Sequence, residues 1–96
     1  YPTGGGLAAG RPEDTANYTA LLAALRKELD AAAGPSKHYE LTIAAPAGPK
    51  AIAGLELGKI HPYLDAVNIM TYDFHGAWEL TTNHNSPPWR TRQRRR

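Results

Sequence analysis

The run Asn68-Ile69-Met70-Thr71-Tyr72-Asp73-Phe74-His75-Gly76-Ala77-Trp78-Glu79 gathers the densest set of side chains in this sequence that could do chemistry. Its first half alternates at the period of a strand, with Val67, Ile69 and Thr71 on one side and Asn68, Met70 and Tyr72 on the other. An asparagine and a tyrosine buried without partners would cost about 1–3 kcal/mol per orphaned group, so that side asks for a polar network or a ligand. Asp73 falls at the carboxyl end of the strand and Trp78 in the loop beyond it. Parallel barrels carry their catalytic groups at that end, and a tryptophan beside an acid there suits stacking on a ring. The plain alternative is a core tyrosine followed by a turn aspartate.

Other candidates are weaker. His38, His61, His75 and His84 show neither a helical i, i+4 pair nor a regular ligand spacing, so no metal site is expected. Gly4-Gly5-Gly6 with Ala9 loosely matches a dinucleotide fingerprint, but no strand precedes it within the chain and no Lys-Ser/Thr follows. It reads as a flexible crossover loop, and no cofactor is expected. Glu79, a solvated loop carboxylate, is not expected to act as an acid. Asn17-Tyr18-Thr19 is a glycosylation acceptor sequence on a predicted helix.

The elements that must position this set follow from periodicity. Pro12-Glu13-Asp14 opens a helix running to about Ala33, with Tyr18, Leu21, Leu22, Leu25 and Leu29 on one stripe and Arg26, Lys27, Glu28 and Asp30 flanking or opposing it. Gly34-Pro35 ends it. Tyr39 to Ala45 alternates as a strand that Pro46, Gly48 and Pro49 stop. A second helix is expected between about Leu55 and Leu64. The strand Asp65 to Asp73 has no fully polar side and suits burial on both faces. Loop, helix, strand, helix, strand and loop make a parallel α/β pattern. Two strands with unprotected edges look unfinished as a whole protein, but they fit a slice of a (β/α)8 barrel of about 250 residues.

Composition narrows the classes further. The chain of 96 residues has 11 Lys+Arg against 9 Asp+Glu. Five of the basic residues, Arg90, Arg92, Arg94, Arg95 and Arg96, lie in the last seven positions, which leaves residues 1–89 at a net −3. Five arginines could bind phosphates weakly, but no aromatic or helical pattern interleaves them and the acidic body does not extend the patch. The tail reads as foreign to the fold, and no nucleic-acid partner is expected. Cysteine is absent, which excludes a disulfide framework and a thiol nucleophile. The longest uncharged run, Thr15 to Leu25, is far short of the roughly 20 apolar residues a membrane span needs. Tyr1-Pro2-Thr3-Gly4-Gly5-Gly6 has neither the basic start nor the apolar stretch of a signal peptide, and without an initiating Met the chain is expected to begin inside a longer one.

Met70-Thr71-Tyr72-Asp73 resembles the M-x-Y-D motif on the sixth barrel strand of glycoside hydrolase family 18, the chitinase family. Phe74-His75-Gly76-Ala77-Trp78 resembles the continuation in microbial members. Tyr1-Pro2 is similar to the dipeptide directly after the catalytic glutamate on strand four. Arg11-Pro12-Glu13-Asp14 with Asn17-Tyr18-Thr19, then Leu41-Thr42-Ile43-Ala44, resemble the following helix and fifth strand. His84-Asn85-Ser86-Pro87 resembles the loop beyond strand six. The likeness covers roughly residues 1–89 and implies an α/β fold, a barrel slice from the end of strand four to the loop after strand six.

The resemblance also implies a chemistry: retaining, substrate-assisted hydrolysis of β-1,4-linked N-acetylglucosamine polymers, in which the substrate's acetamido oxygen attacks the anomeric carbon. Tyr72 and Asp73 would be the catalytic residues, Tyr72 bonding the acetamido carbonyl and Asp73 contacting the −1 sugar. Met70, Trp78 and Tyr1 would bind substrate, Trp78 as an aglycone-side platform. The partner would be chitin or a chitooligosaccharide, in a secreted monomer with no membrane contact. The acid glutamate would precede Tyr1, so the 96-residue chain alone is expected to be inactive. The alternative is a chitinase-like lectin, which keeps the sugar platform and has lost that acid.

Overall fold

The computed structural model describes residues 1–5 and 7–88; the basic tail, residues 90–96, lies outside the described residues. Helix α1 spans Asp14–Ala33, starting two residues later than Pro12. The reason is a closed turn in front of it. The Arg11 amide donates to Asp14 Oδ2 at 3.0 Å, the Arg11 guanidinium to Oδ1 at 3.1 Å, and the Asp14 amide returns to the Arg11 carbonyl at 3.0 Å. Those bonds hold the Asp14 carboxyl below the usual carboxylate range, and the positive helix end favours the same charge. At the far end Gly34 takes φ 70°, and its amide bonds the Asp30 carbonyl at 3.1 Å.

The apolar stripe of α1 is narrower than its spacing suggests. Leu22 is buried and Tyr18 and Leu29 are half-buried, whereas Leu21 and Leu25 stay exposed. Arg26 replaces Leu25 on the inner side. Its side chain is only 12% exposed, because it reaches Asp65 Oδ2 at 3.1 Å, Asp30 Oδ1 at 2.9 Å and the Tyr39 carbonyl at 2.7 Å. A guanidinium with five donors can lie along a packed face when each direction offers an oxygen.

Strand β1 is Thr42–Pro46 and strand β2 is Ala66–Met70, paired in parallel with Ile43 opposite Val67 and Ala45 opposite Ile69. Both are shorter than the runs Tyr39–Ala45 and Asp65–Asp73 read from alternation. Between them α2 (Pro49–Ala53), α3 (Leu57–Ile60) and a 3-10 turn (His61–Tyr63) replace the single helix expected over Leu55–Leu64. Pro62 has no amide to donate, so the backbone tightens into the 3-10 turn at that point. Leu22, Ile43, Ala45, Leu55 and Ile60 form the core, with Tyr18, Leu41, Tyr63 and Leu64 packed against it. Thr15 bonds the Gly54 carbonyl at 2.9 Å, and Thr19 bonds Glu56 Oε1 at 2.9 Å, which ties α1 to the α2–α3 connection. Lys59 and Thr19 together hold the Glu56 carboxyl below its ordinary range.

Within this chain by itself neither face of β2 is covered. Val67 and Ile69 share the face of the buried Ile43 and Ala45, yet they are 44% and 58% exposed. Leu22 of α1 and Ile60 of α3 join Ile43 and Ala45 of β1 in one cluster, α2 packs against β1, and no residue of β2 enters that cluster. Asn68 and Met70 share the opposite face with Ala44 and Pro46.

Candidate active site

Strand β2 ends abruptly. The Thr71 amide turns back onto the Ile69 carbonyl at 3.0 Å, a three-residue reversal that stops the ladder at Met70. Alternation therefore does not extend to Tyr72, which lies beyond the strand and is 54% exposed. Met70 is half-buried at the last strand position. Asp73 follows with φ 54°, a left-handed backbone that few side chains tolerate and aspartate tolerates better than most.

A second segment holds this turn in place. The Asp73 amide donates to Asn85 Oδ1 at 3.0 Å and the Phe74 amide to the Asn85 carbonyl at 3.0 Å. The Ser86 hydroxyl donates to the Thr71 carbonyl. Residues 85–86 were visible in the sequence only as part of a loop. The signal that could have marked them is chemical: a short amide side chain facing a turn that lacks its own acceptors.

Beyond Asp73 the chain makes a tight turn over residues 76–79, closed by the Glu79 amide on the Gly76 carbonyl at 3.0 Å. His75 Nδ1 and Glu79 Oε2 meet at 2.6 Å across it, so Glu79 is engaged with His75. Trp78 lies with its six-membered ring against Gly76, where a β-carbon would overlap the ring, and remains 69% exposed. A cavity of about 270 Å³ lined by residues 75–77 and 79–83 opens beside this turn, apart from Met70, Tyr72 and Asp73.

Tyr72, Asp73, Met70 and Trp78 thus lie on one stretch at the carboxyl end of β2. Tyr1 does not join them. Its ring packs edge-on against Tyr18 of α1, with centroids 5.6 Å apart, and no aromatic or hydrogen-bonding contact among the described residues links it to Tyr72, Asp73 or Trp78. No group of three or more His, Asp or Glu among the described residues could hold a metal ion, and no helix there is long and apolar enough to cross a membrane.

Fold and site together define a class: a parallel α/β unit that presents a phenol, a carboxylate and an exposed indole past the end of a strand. Residues 1–94 match the family model described as glycosyl hydrolases family 18, and the chain belongs to that family. Chitinase A1 of Niallia circulans is 51% identical over 90 residues, which cover 91% of this chain and 13% of the relative. Chitinase ChiW from Paenibacillus sp. strain FPU-7, described as a cell-surface-expressed multi-modular enzyme, superposes with a TM-score of 0.74 at 53% identity, over 79% of this chain and 9% of that one. A family 18 N-acetylglucosaminidase from Paenibacillus barengoltzii superposes at 0.75 with 42% identity, over 80% of this chain and 23% of that one. The chain therefore spans a small part of the length of the proteins it matches.

Proposed function

We propose that this chain supplies part of the catalytic barrel of a chitin-hydrolysing enzyme, from the end of strand four to the loop after strand six, with β1 as strand five and β2 as strand six. Residues 1–89 would form that part, and residues 90–96 would lie outside the fold. The observation that carries the reading is the placement of Tyr72 and Asp73 just past the carboxyl end of a parallel strand, both exposed, with an exposed Trp78 on the same stretch. The identity to a chitinase over most of the chain supports the same substrate class.

In this reading the Tyr72 hydroxyl donates to the carbonyl oxygen of the substrate's 2-acetamido group and aligns it with the anomeric carbon. Attack from within the substrate replaces a bimolecular step by an intramolecular one, and retention of configuration follows from two successive displacements. Asp73 contacts the same sugar, Met70 lines its subsite, and Trp78 offers a face to the leaving chain. Tyr1, packed on α1, would follow directly after the acid glutamate, which protonates the leaving oxygen. The enzyme would be a secreted monomer without a metal or organic cofactor, acting on chitin or chitooligosaccharides.

The test is hydrolysis of a fluorogenic chitobioside by the full-length protein and by its Tyr72→Phe variant. Turnover by the parent and a loss of about 10²-fold in kcat for the variant is expected for removal of one oriented hydrogen bond at the reacting group. Binding of chitooligosaccharide without turnover would favour the lectin reading, and unchanged kinetics would remove Tyr72 from the site. The 96-residue chain alone is expected to show no turnover.

A further inference from the structure

Three backbone groups flanking Tyr72 are held by two adjacent residues of a later loop. The Thr71 carbonyl accepts from the Ser86 hydroxyl, the Asp73 amide donates to Asn85 Oδ1 at 3.0 Å, and the Phe74 amide donates to the Asn85 carbonyl at 3.0 Å. Within this clasp Asp73 adopts φ 54°. A left-handed aspartate persists where surrounding bonds over-determine it, and the direction of its Cα–Cβ bond is set by that backbone. A relaxation to negative φ would rotate the carboxylate away from its present direction without any change in the residue itself.

We infer that Asn85 is a positioning residue for Asp73: its side-chain oxygen captures the Asp73 amide, stabilises the left-handed conformation, and so aims the carboxylate past the end of β2. Asn85 touches the backbone of Asp73 and not its carboxylate. The bond from the Phe74 amide goes to the main-chain carbonyl of residue 85 and does not use its side chain, so the side-chain contribution can be tested by itself. The inference rests on the proposed role of Asp73 at the reacting sugar.

The experiment uses the full-length protein with Asn85→Ala, Asn85→Leu, Asn85→Asp, Asp73→Ala and the Asn85→Ala/Asp73→Ala double variant, measuring chitooligosaccharide hydrolysis and amide exchange at Asp73. Asn85→Leu keeps the size of the side chain and removes its carboxamide, the Oδ1 acceptor included, and it serves if the alanine variant does not fold. Misplacement of a reacting group costs up to about 10²-fold, so Asn85→Ala and Asn85→Leu are expected to lower kcat by about 10- to 100-fold with KM within about twofold. Asn85→Asp, which keeps an acceptor, should restore most of kcat. In the Asp73→Ala background Asn85→Ala should cause no further loss, because residues acting through one another are not additive. Exchange of the Asp73 amide should quicken in both acceptor-deleted variants.

A full additional loss in the double variant overturns the inference, as does an unchanged Asp73 amide exchange rate whatever the kinetics. Wild-type kcat in Asn85→Ala beside an impaired Asp73→Ala overturns it while leaving the role of Asp73 intact. An unimpaired Asp73→Ala overturns both.

Discussion

Arg26 and Asp65 are 39 residues apart in the chain, and the Arg26 Nη1 to Asp65 Oδ2 distance is 3.1 Å. Asp65 also accepts the Leu41 amide at 2.8 Å and meets His38 Nε2 at 2.6 Å, while its own amide donates to the Leu41 carbonyl at 2.8 Å. One carboxylate thus ties the middle of α1, the approach to β1 and the start of β2. The Leu41 amide, then His38 and Arg26, hold its carboxyl below the ordinary range.

That lowering sets a pH dependence. Asp14, Glu56 and Asp65 all have folded-state values depressed below those of an unfolded chain, about 4. The folded state therefore binds fewer protons than the unfolded one in this range. Their contribution is complete above about pH 5 and is lost as pH falls through the folded values. Urea midpoints measured from pH 7 down to pH 3 should be level and then drop, and Asp65→Asn should lower the neutral plateau and flatten the drop. A midpoint that rises on acidification would contradict this assignment.

Ile60 is 1% exposed and sits where α3 meets the Leu22, Ile43, Ala45 and Leu55 cluster. Ile60→Ala should lower the unfolding free energy by about 2–5 kcal/mol and Ile60→Val by about 0.5–1.5 kcal/mol, through lost burial and a residual cavity. Equilibrium denaturation followed by circular dichroism checks both.

Gly76 gives Trp78 its seat, since any β-carbon there would overlap the ring. Gly76→Ala should displace the indole without touching Tyr72 or Asp73. The expected result is a several-fold rise in KM of the full-length protein for chitooligosaccharides with kcat little changed, and, in the 96-residue chain carrying Trp89→Phe, a shifted Trp78 emission maximum. A fall in kcat at constant KM would place Trp78 in the chemical step instead.

Much of this protein was legible as a string. The spacing of Tyr18, Leu22 and Leu29 marked α1, Gly34 marked its end, and the alternation around Ile43 and Val67 marked two parallel strands, because periodicity and backbone sterics act within a few residues. The ordered motifs from Tyr1-Pro2 to Trp78 pointed to the family for a similar reason: they are local patterns of side-chain type. Tertiary structure decided what depends on contacts between distant segments. Arg26 turned inward because Asp65 and the Tyr39 carbonyl wait there, and Val67 and Ile69 are exposed in a chain that spans only a small part of the proteins it matches. Strand β2 stopped at Met70 because the Thr71 amide found the Ile69 carbonyl, and Asp73 kept a left-handed backbone because Asn85, twelve residues on, accepts its amide. Hydrogen-bond partners far along the chain leave no periodic trace, so only the folded arrangement could say which way Asp73 would be held.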